Sequence, residues 1–424
     1  MPASSRRVVL TGLSTLSPLG MDPDTLYRRL MAGDSGVRAI KAFDTANMPA
    51  KIAGEIDNFE AKTYITDKGH RRALKMMSRP IQLAVSAAQC VMNSVDRTKI
   101  DPTRLGVEFG AGLMASELPE LADAAMASAN CQPGAVSLEL WGQKGIPAIQ
   151  PLWMLKYLPN LPAGHISIMH DAQGPNNSIT ESDAASLIAL GEAFRIIGRD
   201  GADMFITGGC ESKVHPVSLV RQCLFEQLSK RNDNPQDACR PYDRDRDGTV
   251  VGEGAAVLLI EELEHAKRRG AIPLAEMVGF GAAFERTHSG EGLARAIKAA
   301  LKDADAIPAD IDFVIGHAMG LTAYDAFEAR GIAEVFGPQG VPVYAAKGAL
   351  GNTGAASGAM ELAIGVLALQ NGAVPPSRNH VATAEDCPVN VVHNQAKKVA
   401  KPYFLKLAYT QLGQCAAAVI KKWE

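Results

Sequence analysis

Residues Arg240–Ala271 read RPYDRDRDGTVVGEGAAVLLIEELEHAKRRGA. The head of this stretch is charged and rich in turn formers. Its middle, Ala255 to Ile260, is an uninterrupted apolar run of strand length, and its tail has the charged pattern of a short helix stopped by Gly270. A charged loop, a buried strand and a surface helix in succession are the rhythm of an α/β protein. Outward from this stretch the rhythm continues in both directions. Upstream, RRVVLTGL (6–13) and LGVEFGAG (105–112) predict buried strands, and 202–212 predicts a strand followed by a loop. Residues 22–33 and 179–201 predict helices that end at glycine, and 79–94 is apolar nearly all round, as a central helix would be. Downstream, 273–285 and the start of 311–320 predict strands, 290–306 a helix, and 404–423 a closing hairpin. Residues 115–170, rich in proline and aromatic residues, read as an insertion of loops and short helices.

Both halves run strand, helix, strand, Gly-rich turn, buried helix. The pattern predicts an internal duplication, with an N-terminal half over 1–255 and a C-terminal half over 256–424. The two Gly-rich turns, GPNNSITESDAAS (174–186) and AAKGALGNTGAAS (345–357), each lead into a buried helix, so the helix N-termini are expected to face a shared site.

Composition bounds the function. The 424 residues carry a net charge of −3 and lack the basic surplus of a nucleic-acid binder. No long apolar run predicts a membrane span, and no leader peptide is read at the N-terminus. The seven cysteines (90, 131, 210, 223, 239, 387 and 415) are scattered without a C-x-x-C pair, which fits a reducing cytoplasm and argues against a zinc site or disulfide frame. Asp243, Asp245 and Asp247 lack the full spacing of a calcium loop, and His165, His170 and His288 are too dispersed to suggest a metal, so none is expected.

The Arg240–Ala271 stretch closely resembles the matching segment of type II β-ketoacyl-[acyl-carrier-protein] synthases, as do RRVVLTGLSTLSPLG (6–20) and SGVRAIKAFD (35–44). The resemblance covers nearly the whole chain. It implies the thiolase fold, a duplicated α-β-α-β-α architecture of five layers, and a dimer joined across the N-terminal halves. It implies no cofactor of the chain's own: phosphopantetheine would be delivered by a carrier protein or CoA. IGHAMGLTAYDAFEA (315–329) resembles the family's first histidine loop, giving His317 as the catalytic histidine and Glu328 as a supporting carboxylate. AAKGALGNTGAASGAMELA (345–363) resembles the lysine segment, giving Lys347.

The departures bear on mechanism. The family's nucleophilic cysteine falls on Asp183, its second histidine on Asn352, its GTSTP run on AMGLT, and its gate phenylalanine on Gln411 within TQLGQC. The GNTGAAS turn is similar to that of the initiating synthases, whose triad is Cys-His-Asn, so His317 and Asn352 still read as two-thirds of a triad. Asp183 and Gln411 together mark the oxyanion and gate positions. An aspartate at a helix N-terminus is well stabilised as an anion but is a poor acyl acceptor. A carboxylate of pKa ~3.9 would have to displace a thiolate of pKa ~8.5. An ionised Asp183 would also repel a malonyl carboxylate. General-base chemistry by Asp183 and His317 remains open, as does no chemistry at all. The resemblance therefore implies a thioester enzyme of non-standard kind in fatty-acid or polyketide synthesis. The alternative is a non-catalytic, chain-length-factor-like partner of a Cys-containing ketosynthase, in a homodimer or heterodimer.

Each residue also has a structural role to weigh. Asp183 and Asn352 suit helix starts, and Lys347 with Glu328 suits a partly buried ion pair. Lys68, Arg71, Arg72 and Lys75 fall on one helical face, and the resemblance makes them a candidate docking surface for an acidic acyl carrier protein.

Overall fold

The computed structural model describes residues 6–129 and 134–424; Cys131 lies outside them. To the large mixed sheet the first half contributes five strands among the described residues, β1 (Val8–Leu16), β2 (Leu105–Ala111), β3 (Asn176–Ile179), β4 (Met204–Ser212) and β5 (Glu253–Glu262). The second contributes β6 (Ala275–Phe284), β7 (Ile311–Ile315), β8 (Pro342–Tyr344), β9 (Tyr403–Tyr409) and β10 (Gln414–Lys422). Strand order in the first half is β3-β2-β4-β5-β1 and in the second β8-β7-β9-β10-β6, the same arrangement used twice. The corresponding pairs agree in direction: β2 runs parallel to β3 and β4, as β7 does to β8 and β9, and the remaining pairs are antiparallel. A short strand, Asn390–Val391, extends the second set beyond β8. The two sets join edge to edge where Val8–Leu10 pairs with Ala275–Met277.

The duplication expected from the sequence is therefore present in the topology, but a division at residue 255 falls inside β5. That strand is the fifth of the first half, so the repeat changes over in the segment between Glu262 and Ala275. Other expectations shift at their edges. The helix expected over 179–201 begins only at Ala185, because Asn176–Ile179 is paired as β3. The 202–212 segment is strand to its end at Ser212.

Alternation along each strand divides the side chains between layers. On β5, Ala256, Leu258 and Ile260 enter the central core, while Ala255, Val257 and Leu259 enter the outer core of the first half. On β10, Ala416, Ala418 and Ile420 face the central core, and Cys415, Ala417 and Val419 the outer core of the second half. Helix α1 (Arg79–Met92) covers the first half and α3 (Glu291–Asp303) with α4 (Thr322–Phe336) the second. The central layer holds α2 (Ala185–Gly198) and α5 (Ser357–Asn371), which pack on each other and on strands. Gly358 permits that crossing, since a Cβ there would stand 2.7 Å from the Leu187 backbone nitrogen. The outcome is a thiolase fold, helices and sheets alternating in five layers.

The Arg240–Ala271 stretch acts as a clamp before it becomes β5. Asp243 accepts hydrogen bonds from the amides of Asp245, Val381 and Ala382, and Arg246 pairs with Asp386 at 2.8 Å. The Tyr242 amide donates to Asp325 on α4, and Val251 pairs with Asn352. No helix among the described residues is long and apolar enough to cross a membrane.

Candidate active site

Three loops at strand ends meet between the halves, and each carries a residue in the left-handed region. Ser182 (φ 44°) precedes Asp183, Ala318 (φ 51°) follows His317, and Gly351 (φ 73°) precedes Asn352. Left-handed non-glycine residues persist only where surrounding packing enforces them. In the first half β3 passes through a 3₁₀ turn, Ser182–Ala184, into α2; in the second a 3₁₀ turn, Gly354–Ala356, leads into α5. Gly209 on β4 lets both turns approach, because a Cβ there would lie 2.5 Å from the Ala355 carbonyl oxygen.

The structure brings Asp183, His317, Asn352 and Lys347 together, all buried. The Asp183 carboxylate does not cap its own helix. Its Oδ1 accepts from Lys213 Nζ at 3.3 Å and its Oδ2 from Asn352 Nδ2 at 3.2 Å. His317 Nε2 lies 3.9 Å from the same Oδ2, beyond hydrogen-bond distance. Asn352 does support the following turn, its Oδ1 accepting from the Gly354 amide at 3.0 Å and from Ser357 Oγ at 3.2 Å. Burial pushes the Asp183 carboxyl up, but the Lys213 ammonium, with His317 and Lys347 beyond it, outweighs that and holds it far below the usual carboxylate range. Lys213 is buried too, yet Asp183 and Glu211 keep its ammonium charged and raise its pKa.

His317 has its tautomer fixed by its neighbours. Lys347 Nζ stands 3.2 Å from His317 Nδ1 and donates to the His317 carbonyl and to Glu361, each at 2.6 Å. An ammonium only donates, so Nδ1 is the acceptor and Nε2 carries the proton. Burial, then the Lys347 charge, brings the histidine pKa down to about 4, so near neutrality the ring is uncharged. His317 thus presents an N–H toward Asp183, with its one lone pair turned to Lys347, an arrangement that gives no support to a general-base role for the ring on that side. Tyr409 packs edge-on against the ring, centroids 4.5 Å apart.

The expected Lys347–Glu328 ion pair is corrected. Glu328 accepts from the amides of His317 at 2.6 Å and Ala318 at 2.8 Å, shaping the loop. The partner of Lys347 is Glu361, whose other oxygen accepts from Lys406 Nζ at 2.5 Å. Gln411 sits in the turn between β9 and β10, and its side chain donates to Glu226. The basic cluster lies apart from this site. Lys68, Arg71, Arg72 and Lys75 are exposed on Lys68–Ala73 and the turn after it, and Arg71 is committed to the carbonyls of Ile65 and Lys62.

Sequence reasoning passed over Lys213, Glu211, Glu361 and Lys406. Lys213 and Glu211, with Ser182, line a cavity of about 380 Å³ that opens beside Asp183. No described cysteine with a shifted thiol is primed as a substitute nucleophile: burial raises Cys90, Cys210, Cys239, Cys387 and Cys415.

Two Gly-rich elbows converging on a buried histidine between duplicated halves define a thiolase-fold protein. Family models agree. Residues 5–266 match the beta-ketoacyl synthase N-terminal domain and residues 275–381 its C-terminal domain, so the chain belongs to the beta-ketoacyl synthase family. The 3-oxoacyl-[acyl-carrier-protein] synthase 2 of Vibrio cholerae serotype O1 is 34% identical over 407 residues, covering 93% of this chain and 94% of that protein. Among solved structures, the ishigamide ketosynthase/chain length factor superposes with a TM-score of 0.85 at 27% identity, over 99% of this chain and 100% of that one. A beta-ketoacyl synthase from Burkholderia phymatum superposes with a TM-score of 0.87 at 25% identity, with the same coverage.

Proposed function

We propose that this chain serves acyl carrier protein-bound acyl chains in fatty-acid or polyketide synthesis as a non-condensing, chain-length-factor-like subunit beside a Cys-containing ketosynthase. The observation that carries this reading is the Lys213–Asp183–Asn352 contact. The nucleophile position holds a carboxylate whose two oxygens are already engaged, and the donors that would steady an incoming oxyanion face that fixed anion. A carboxylate stabilised this far is a weak nucleophile and a weak base. Pairing is supported by β3, which lies at a sheet edge with Asn176 and Asn177 exposed, and by large exposed apolar side chains in the neighbouring insertion, among them Leu138, Leu152 and Ile168. The name of the Vibrio cholerae relative supplies the carrier-protein context, and that of the ishigamide structure the pairing of ketosynthase with chain length factor.

The test uses mass spectrometry and labelled carbon dioxide release with acyl- and malonyl-carrier protein. The chain alone is expected to stay unacylated and silent, and to raise or redirect product formation when a Cys-containing ketosynthase is added. Asp183→Cys is expected to gain an acyl adduct, because Lys213 and the helix N-terminus favour a thiolate. One feature favours a second reading, a decarboxylating enzyme: buried His317 Nε2 has no hydrogen-bond partner. Carbon dioxide release by the chain alone that disappears in His317→Ala would establish that reading and sink the first.

A further inference from the structure

Glu108 is a buried carboxyl that plays no part in the site described above. It stands in the middle of β2, only 2% exposed, and its Oε2 has no hydrogen-bond partner. Its side chain shares a strand face with Gly110, where a Cβ would stand 2.4 Å from the Ser186 backbone nitrogen of α2. The strands on either side set Asn177 of β3 and Thr207 of β4 level with it. Neither of these titrates, and the buried Thr207 hydroxyl is itself without a partner. From α2 come Glu192 and, just past the last residue, Arg199, which pair with each other at 3.0 Å. Burial, then the Glu192 charge, pushes the Glu108 carboxyl up to about 7 against the pull of Arg199. Asn177, between Glu108 and the edge of the sheet, is exposed.

β3 itself, Asn176–Ile179, holds none of the lysines or prolines that commonly keep an open edge from pairing. Its amide side chains both donate and accept, so two copies of the strand complement each other. A charge pointing inward beside an edge is another device against such pairing, and Glu108, one strand in, is such a charge. A second copy laid antiparallel along β3 would cover Asn177 and draw water away from Glu108. That loss falls on the ionised form, in each copy alike. The protonated carboxyl has no charge to desolvate. We propose that Glu108 controls the pairing of two copies of this chain along β3, opposing it while ionised and permitting it once protonated. Burial within the pair raises the carboxyl further, so pairing takes up protons and strengthens as pH falls through neutrality.

The test is sedimentation velocity of the full chain alone, at constant ionic strength, one pH unit below and one above the Glu108 value of about 7. The dissociation constant of the pair is expected to be at least about tenfold smaller at the lower pH, since each copy takes up a proton. Glu108→Gln keeps the shape without the charge and is expected to pair at both pH values as tightly as the wild type does at the lower. Glu108→Leu, a second neutral variant, is expected to do the same. Asn177→Lys charges the edge at an exposed position, so it is expected to abolish pairing at both pH values with an unaltered melting temperature. The proposal is overturned if the wild type pairs equally at both pH values or at neither, if the pH dependence survives in the neutral variants, or if Asn177→Lys pairs like the wild type. No ketosynthase or thioester enters the measurement, so a failure of self-pairing is distinct from a failure of the partner-subunit reading.

Discussion

Two buried charge clusters flank His317, and they are opposites. On the side of the first half, one lysine, Lys213, sits between two carboxyl groups, Asp183 and Glu211. On the side of the second, one carboxylate, Glu361, sits between two lysines, Lys347 and Lys406. The second cluster is knit by short contacts and by backbone carbonyls: Lys347 reaches the His317 carbonyl and Lys406 the Gly316 carbonyl. The first is looser, with Lys213 at 3.3 Å from Asp183 and a cavity at its back. The difference teaches that the frame holding the histidine is rigid and closed, whereas the position facing it is open to ligand and to change. A new residue at Asp183 could be accommodated because a lysine two positions beyond Glu211 balances it.

The comparison breaks most severely at Glu361. Glu361→Gln leaves two buried ammonium groups without a counter-charge, and a loss of about 3–5 kcal/mol in denaturant unfolding is expected. Lys213→Met strands Asp183, but the cavity admits water and Asn352 still donates, so a smaller loss of about 1–3 kcal/mol is expected by the same measurement. If the two losses proved equal, the contrast between a closed and an open cluster would fail.

Acid titration sharpens the contrast. Folding lowers the pKa of His317 from 6.5 to about 4, so between those values the unfolded chain binds the proton first. Its contribution to stability is complete above pH 6.5 and is lost as pH falls toward 4. Asp183 is also lowered, so its contribution is complete above its ordinary 3.8 and is lost at still lower pH. Stability against pH should therefore decline in two stages. His317→Gln is expected to flatten the upper stage and Asp183→Asn the lower; identical curves for the wild type and both variants would exclude the assignment. The smallest effect lies on the exposed helix. Lys68→Glu with Lys75→Glu should move stability by no more than about 0.5 kcal/mol, while weakening carrier-protein binding in a salt-sensitive way, measured by calorimetry at two ionic strengths.

The sequence revealed the duplication through its recurring turns, and the site through motifs at Asp183, His317 and Asn352. Strands were legible where apolar runs were long, as in β5 and β10, although β5 runs two residues beyond the apolar run at each end, Glu253 to Glu262. The start of α2 was not, because Asn176–Ile179 pairs with β2 only through the tertiary fold. Lys347's partner was misread because proximity along a motif is no guide to pairing, and Glu328 is consumed by two amides. Yet a signal for the missed cluster existed. Lys406 interrupts the apolar run FLKLAY and Glu361 the apolar helix around it, and charges in such positions are almost always paired. Lys213 gave no comparable signal, since a lysine at a strand end ordinarily reaches solvent.

The shared central layer has a consequence for inheritance. Helix α5 belongs by sequence to the second half, yet it rests on β4 and β5 as well as on β7 and β9. The two family models part company between residues 266 and 275, but no physical seam follows them. A gene cut there would yield two fragments, each with one apolar sheet face bare. The ancestral repeat has become indivisible, so any drift in one elbow must be answered inside the other.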